Sequence, residues 1–236
     1  MSRLYGEKES IDCEKVKDFF DNRASKEVEN ILSITMYQDS DVVEKRHKDE
    51  SKIVLEKLDV TNKKILEIGC GIGRWAEVFE DKCDSYLGID YSKNLIEIAN
   101  KTYDYDNCYF QEMSATDLKI DELKLSPPFD IILIIGVLIY LNDEDIKQMM
   151  EEINKVSDEN TIVYVRETIS YMDTRLTLKD FYSEDLDEEY NAIYRTENEL
   201  LEYFNCLKNN NEIISSKIHD ETNPHKETGY KYFIIK

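Results

Sequence analysis

Glycine and proline are scarce in this chain of 236 residues, at 7 and 3, and they are not gathered into a linker. A chain of this length with no flexible divider suits one α/β domain with a sizeable core rather than two independent units. Histidine is also sparse, and His47, His219 and His225 show no metal-ligand spacing. The cysteines Cys13, Cys70, Cys83, Cys108 and Cys206 are odd in number, widely spaced and without a Cys-x-x-Cys pair. That pattern argues against a zinc site or a disulfide framework, so no metal is expected. Positive charge is in deficit: 30 basic against 51 acidic residues leave a net charge of -21. Such a surface repels phosphate backbones and anionic membranes, and neither nucleic acid nor membrane is expected as a partner. The longest apolar stretch, residues 129–141, falls short of the roughly 20 residues of a membrane span. It is also interrupted by Asp130, so a buried strand is the better reading. The first ten residues lack the apolar core of a signal peptide, and a cytoplasmic, reduced protein is expected.

What is present changes character near residue 60. Residues 1–60 are strongly charged, with apolar marks at roughly helical spacing (Val16, Phe19, Phe20; Ile31, Leu32, Ile34; Ile53, Val54, Leu58), and predict a helical cap. From Lys64 onward short apolar runs alternate with amphipathic segments. Strands are predicted over 65–68, 86–89, 109–111, 129–135, 161–165, 213–218 and 230–235. Helices are predicted over 74–82, 92–103, from Asn142 to about Val156, and from the capping-box pattern Thr196-Glu197-Asn198-Glu199. Alternation of this kind means βαβ units. The expected fold is α/β: a doubly wound, mainly parallel seven-stranded sheet with helices on both faces, plus amino-terminal helices. Ligands of such sheets bind beyond the carboxyl ends of the strands, where the strand order reverses.

The sequence Gly69-Cys70-Gly71-Ile72-Gly73 falls at such a place, after the first strand of this region and before a helix. Glycines there let the chain turn tightly and let a ligand approach the backbone. Dinucleotide sites share that feature, but two details differ. The spacing is Gly-x-Gly-x-Gly, and Glu67 precedes the first glycine. A carboxylate there repels a pyrophosphate and attracts a ligand carrying an amino group and a sulfonium. Asp90, at the end of the second strand, suits the two hydroxyls of a ribose.

The stretch 66–75, Leu-Glu-Ile-Gly-Cys-Gly-Ile-Gly-Arg-Trp, resembles motif I of class I S-adenosylmethionine-dependent methyltransferases. Gly88-Ile89-Asp90-Tyr91-Ser92 resembles the motif closing their second strand, and residues 129–141 resemble their motif IV. The resemblance spans roughly residues 50–165. It implies S-adenosylmethionine as cofactor, S-adenosylhomocysteine as product, and a methyltransferase domain over residues 61–236. Glu67, Gly69, Cys70, Gly71 and Gly73 would then face the methionine part, with Asp90 and Tyr91 at the ribose. Met113, Ser114 and Ala115 would face the adenine, and Ile135 and Gly136 the methyl-transfer end. Many relatives place an acid where this chain has Ser114, and a histidine near the position of Tyr140.

Direct displacement at the sulfonium needs alignment and desolvation more than acid–base machinery. Tyr140 is the first catalytic candidate, able to orient an acceptor or stack on it, although its unperturbed pKa of about 10 makes it a poor base. His47 is the second, as the histidine best placed ahead of motif I. Residues 171–195, charged and rich in aromatics, are expected to form a substrate lid. Arg23, Arg46, Tyr171 and Arg195 are the candidate substrate contacts. The expected acceptor is an oxygen or nitrogen of a small polar metabolite. The stretch 19–24 is similar to small-molecule methyltransferases of bacterial sugar, capsule and secondary-metabolite pathways. A protein or peptide methyltransferase, a nicotinamide-dependent oxidoreductase and a non-catalytic cofactor-binding module stay open as alternatives.

Overall fold

Five parallel-running apolar strands carry the core in the computed structural model, which describes residues 2–26, 28, 30–36, 40–183, 186, 188–219, 221, 223 and 225–236. The amino-terminal region contributes β1 (Ser2–Tyr5), α1 (Cys13–Ala24), α2 (Ser33–Met36) and α3 (Ser40–Lys57). The central strands are β2 (Lys64–Ile68), β3 (Ser85–Asp90), β4 (Cys108–Glu112), β5 (Ile131–Ile135) and β6 (Ile162–Ser170). Between them lie α4 (Ala76–Phe79), α5 (Lys93–Thr102) and α6 (Asp143–Val156). The chain continues through β7 (Leu176–Ser183), β8 (Glu188–Tyr194), α7 (Glu197–Phe204), β9 (Ile213–Ile218) and β10 (Thr228–Ile235).

Seven strands form one sheet in the order β4-β3-β2-β5-β6-β10-β9. The pairs from β4 through β6 are parallel, and β10 runs antiparallel to both β6 and β9. This is the predicted doubly wound, mainly parallel sheet. Both faces are covered, which is why its strands are nearly continuous in apolar residues. Leu66, Ile68, Ile132, Ile134, Val163 and Val165 pack with α6 and α7 on one face. Ile65, Leu133 and Tyr164 pack with Val54, Trp75, Phe79 and Ile96 on the other.

Local signals set the helix ends. Ser92 accepts from the Leu95 N–H at the start of α5, and Asn142 with Asp145 closes a capping box at α6. Thr196 and Glu199 do the same for α7. Each such cap contributes about 1 kcal/mol.

Two expectations change. The cap of residues 1–60 is not wholly helical, because Ser2–Tyr5 form a strand pairing antiparallel with β7, whose own partner is β8. The exposed edge of the β7–β8 hairpin offers unpaired backbone groups, and β1 satisfies them. Residues 171–195 thus contribute two strands of a separate three-stranded sheet, order β1-β7-β8. The helix expected over 74–82 is reduced to Ala76–Phe79, since the turn of the glycine segment extends to Trp75. No helix among the described residues is long and apolar enough to cross a membrane.

Candidate active site

The strand order reverses between β2 and β5, and a cleft of about 1020 Å³ opens at their carboxyl ends. Strand β2 leads into it through Glu67 and the glycine turn. The N–H groups of Gly69 and Cys70 both donate to the Ile89 carbonyl, at 2.8 and 2.9 Å, pinning the turn to the end of β3. Gly69 has φ +74°, and a Cβ there would lie 2.4 Å from the Val137 side chain. Only glycine meets both demands.

Asp90 completes this side. Its carboxylate accepts from Gly71 N–H at 2.9 Å and from Ser92 N–H at 2.8 Å. Burial pushes its pKa up to about 6, opposed by those two donors. Two oxygens with four lone-pair positions leave room for two hydroxyl donors from the cleft. Glu67 is fully buried and receives the Tyr86 hydroxyl. Burial raises it to about 8, against the pull of Tyr86 and of the Arg74 charge. A buried carboxyl facing a cleft favours a cationic ligand, which lowers the cost of ionising it. The Met113 N–H donates to the Asp90 carbonyl at 2.9 Å, which brings the loop of Met113, Ser114 and Ala115 to the same cleft.

Across the reversal point, β5 ends at Ile135 and Gly136 and turns through Leu138–Tyr140. Glu167 on β6 holds this turn, accepting from the N–H groups of Val137 and Leu138 at 2.7 Å each. The Tyr140 hydroxyl lies 2.9 Å from that of Tyr190 on β8, and its ring meets Phe20 of α1 edge-on at 5.0 Å. Tyr190, Tyr194, Leu176 and Leu178 continue the wall on this side. The acceptor half is therefore bounded by α1 and the small sheet.

Glu67, Gly69, Cys70, Gly71, Asp90, Tyr91, Met113, Ser114, Ala115, Ile135 and Gly136 all line the cleft, as do Tyr140 and Arg46. Gly73 does not: its φ is +77°, and a Cβ would lie 2.4 Å from Phe110 and 3.0 Å from Ala99, so it admits close helix–strand packing. His47 is displaced as well. It contacts Arg74, lies edge-on to Trp75 at 5.5 Å and faces a second recess of about 400 Å³. Burial and the Arg74 charge push its pKa down to about 3. The expectation that His47 reaches the acceptor is corrected by this placement.

Three further expected contacts are drawn into the framework. Arg23 donates to the carbonyls of Ile34 and Ser33, both at 2.7 Å, and ties α1 to α2. Arg195 donates to the Leu138 and Leu141 carbonyls at 2.8 Å and to Asp143, bracing the turn that presents Tyr140. Tyr171 packs its ring against Gly229, outside the cleft. Buried backbone carbonyls demand donors, and a long arginine satisfies several at once.

The structure also brings in residues that the sequence does not single out. Glu50 of α3 pairs with Arg74 at 3.2 Å and with Arg166 of β6 at 2.8 Å. Burial alone would raise its pKa, but Arg166 and Arg74 outweigh burial and hold it at about 2. His219 and Tyr230 join them at the same end of the cleft. One signal was available: Arg166 and Glu167 are charged residues inside an apolar strand.

A glycine turn, a carboxylate at the next strand end and a cleft at the reversal of strand order are the features with which an α/β sheet receives a ribose-bearing ligand. Residues 65–160 match the family described as methyltransferase domain. No curated protein matches the chain in sequence. Among solved structures, the chain is similar to an S-adenosylmethionine-dependent methyltransferase from Leishmania major. Identity is 18%, the TM-score 0.71, and the match covers 95% of this chain and 82% of that one. Phosphoethanolamine N-methyltransferase 1 of Haemonchus contortus, solved with phosphoethanolamine and S-adenosylhomocysteine, aligns at 15% identity and a TM-score of 0.65. That match covers 94% of this chain and 49% of the other. Magnesium protoporphyrin IX methyltransferase from Synechocystis, with bound cofactor, aligns at 12% identity and a TM-score of 0.60, covering 96% and 99%. At such identities the likeness is one of fold. Residues 65–160 match a methyltransferase domain, and the fold of the chain is one it shares with S-adenosylmethionine-dependent methyltransferases.

Proposed function

We propose that this protein is a methyltransferase that moves the methyl group of S-adenosylmethionine to an oxygen or nitrogen of a small polar metabolite. The observation that carries the reading is the enclosure of the cleft beyond Gly136 by α1 and the β1-β7-β8 sheet, with Phe20, Tyr140 and Tyr190 meeting over it. A walled cleft of about 1020 Å³ suits a cofactor and a small acceptor better than an extended peptide. The small sheet and α1 serve as the lid, and residues 1–60 as a cap on the domain of residues 61–236.

Glu67 and the glycine turn hold the methionine part, Asp90 the ribose, and Met113, Ser114 and Ala115 the adenine. The cofactor supplies an electrophilic methyl group, and the chain aligns the acceptor and excludes water from it. Tyr140 positions the acceptor through its hydroxyl. A sugar, capsule or secondary-metabolite pathway suits such a substrate. The five cysteines, all free thiols, suit a reducing compartment, and we place the protein in the cytoplasm.

Isothermal titration with S-adenosylhomocysteine, beside NAD, tests the cofactor assignment. Binding of the first below about 100 µM is expected, a range usual for such sites. Heat only with NAD overturns the reading. A screen of candidate metabolites for methylated product then identifies the acceptor, and product formed only on peptides would displace the metabolite assignment.

A further inference from the structure

At the end of the cleft remote from Asp90, four side chains from separate elements gather, three of them on the phenol ring of the fourth. The guanidinium of Arg46, on α3, lies 5.0 Å from the Tyr230 ring centroid and donates to the Tyr230 hydroxyl at 3.1 Å. That of Arg166, on β6, lies 5.9 Å from the same centroid. The His219 ring meets Tyr230 edge-on at 5.6 Å. All four line the cleft. The Glu50 carboxylate is shared between Arg166 and Arg74, one negative charge between two positive ones. Glu227, on the rim, is engaged by Arg3 and Tyr5.

This concentration of arginine runs against a chain whose net charge is -21. Arginine in a partly desolvated wall favours a planar or tetrahedral oxyanion, because its fork of donors matches those shapes. The position matters equally. Arg166 pairs in register with Ile135, and its carbonyl accepts the Gly136 N–H at 2.8 Å. Its guanidinium would lie 3.4 Å from a Cβ on Gly136. Tyr230 is one strand further out, on β10. The corner therefore lies on the β6–β10 side of Gly136, whereas the glycine turn, Asp90 and the Met113 loop lie on the β2–β4 side.

We propose that Arg46, Arg166, His219 and Tyr230 form a subsite for an anionic group of the methyl acceptor, a carboxylate or a phosphate. The acceptor is then an anionic small molecule, held by its charge at β6–β10 with its nucleophile directed toward Gly136 and Tyr140. This rests on the methyltransferase reading and adds the substrate class to it.

The test uses the full chain saturated with S-adenosylhomocysteine, titrated with inorganic phosphate and with acetate at constant ionic strength against chloride. Saturable binding of phosphate or acetate is expected, weakened tenfold or more in Arg166→Met and severalfold in Tyr230→Phe. Saturable binding of neither, or binding unchanged in both variants, overturns the subsite. If Arg166→Met does not fold, Tyr230→Phe and His219→Gln decide, since each leaves the Glu50–Arg166 ion pair in place. The other source of such chemistry is the carboxylate of the cofactor itself. In the cofactor-free chain, phosphate displaced by S-adenosylhomocysteine but not by 5′-methylthioadenosine would assign the corner to that carboxylate and overturn the proposal. Failure of S-adenosylhomocysteine to bind the wild-type chain would sink the methyltransferase reading instead.

Discussion

The hydroxyls of Tyr140 and Tyr190 lie 2.9 Å apart, joining the turn after β5 to strand β8 of the small sheet. One residue follows β5 and Gly136, and the other belongs to the wall opposite. The pair links the turn after Gly136 to the element that encloses that end of the cleft.

Removing the Tyr140 hydroxyl should therefore be felt in turnover more than in folding. Tyr140→Phe is expected to lower kcat/KM about tenfold, the worth of one hydrogen bond of about 1.4 kcal/mol. Tyr190→Phe should show a similar loss, and the double variant less than the product of the two, because they share one contact. Steady-state kinetics on the identified acceptor checks this. Unaltered rates in both single variants would remove the pair from the site.

Asp90 makes a sharper case on the cofactor side. In the proposed role, Asp90→Ala removes the acceptor of two ribose hydroxyls, each worth about 1.5 kcal/mol to a charged partner. The loss should be about 100-fold in S-adenosylhomocysteine affinity. Calorimetry gives the affinity, and circular dichroism confirms that the fold survives the loss of the Gly71 and Ser92 contacts. Equal affinity in the variant and the wild type would refute the ribose role.

Gly73 separates packing from binding within one motif. In Gly73→Ala the left-handed φ of +77° costs roughly 1–2 kcal/mol. The new methyl also meets Phe110 at 2.4 and 2.7 Å, adding an overpacking cost of roughly 1–3 kcal/mol. Thermal melting should show a Tm lower by about 6–12 °C for a chain of this size. S-adenosylhomocysteine affinity below that transition should be little changed. A normal Tm with weakened binding would return Gly73 to the cofactor.

The pH dependence of stability carries the signature of Glu167. Burial raises its carboxyl from 4.5 to about 7, opposed by the Leu138 N–H and the Arg166 charge. A folded state that binds the proton more tightly than the unfolded chain is favoured by acid. The contribution is fully present below pH 4.5 and is lost as pH rises through about 7. Glu167→Gln, whose amide oxygen can still accept from Val137 and Leu138, should flatten the urea-derived stability profile over that window. The change in slope is at most about 1.4 kcal/mol per pH unit. Superimposable profiles would show that Glu167 is not the titrating group.

The sheet was largely legible in the chain because buried parallel strands need uninterrupted apolar runs, and 65–68, 86–89 and 131–135 have them. Glu67, the glycines and Asp90 were legible for a related reason: tight turns and strand-end carboxylates are local devices. Strand β1 was not, because the four residues Ser2–Tyr5 carry no strong pattern and are strands only through pairing with Leu176–Lys179. His47 and Arg195 look like site residues in a linear reading, yet packing turns one toward Trp75 and the other under the Tyr140 turn.

By itself the sequence determined the doubly wound sheet, the glycine turn after β2 and the acid at the end of β3, since all three follow from spacing along a few neighbouring residues. Only the tertiary structure decided which charged side chains share the cleft. Glu50, Arg166, His219 and Tyr230 come from α3, β6, the end of β9 and β10, and strand register together with helix packing brings them to one corner. Those long-range distances are set by the whole fold, so no local pattern could announce them.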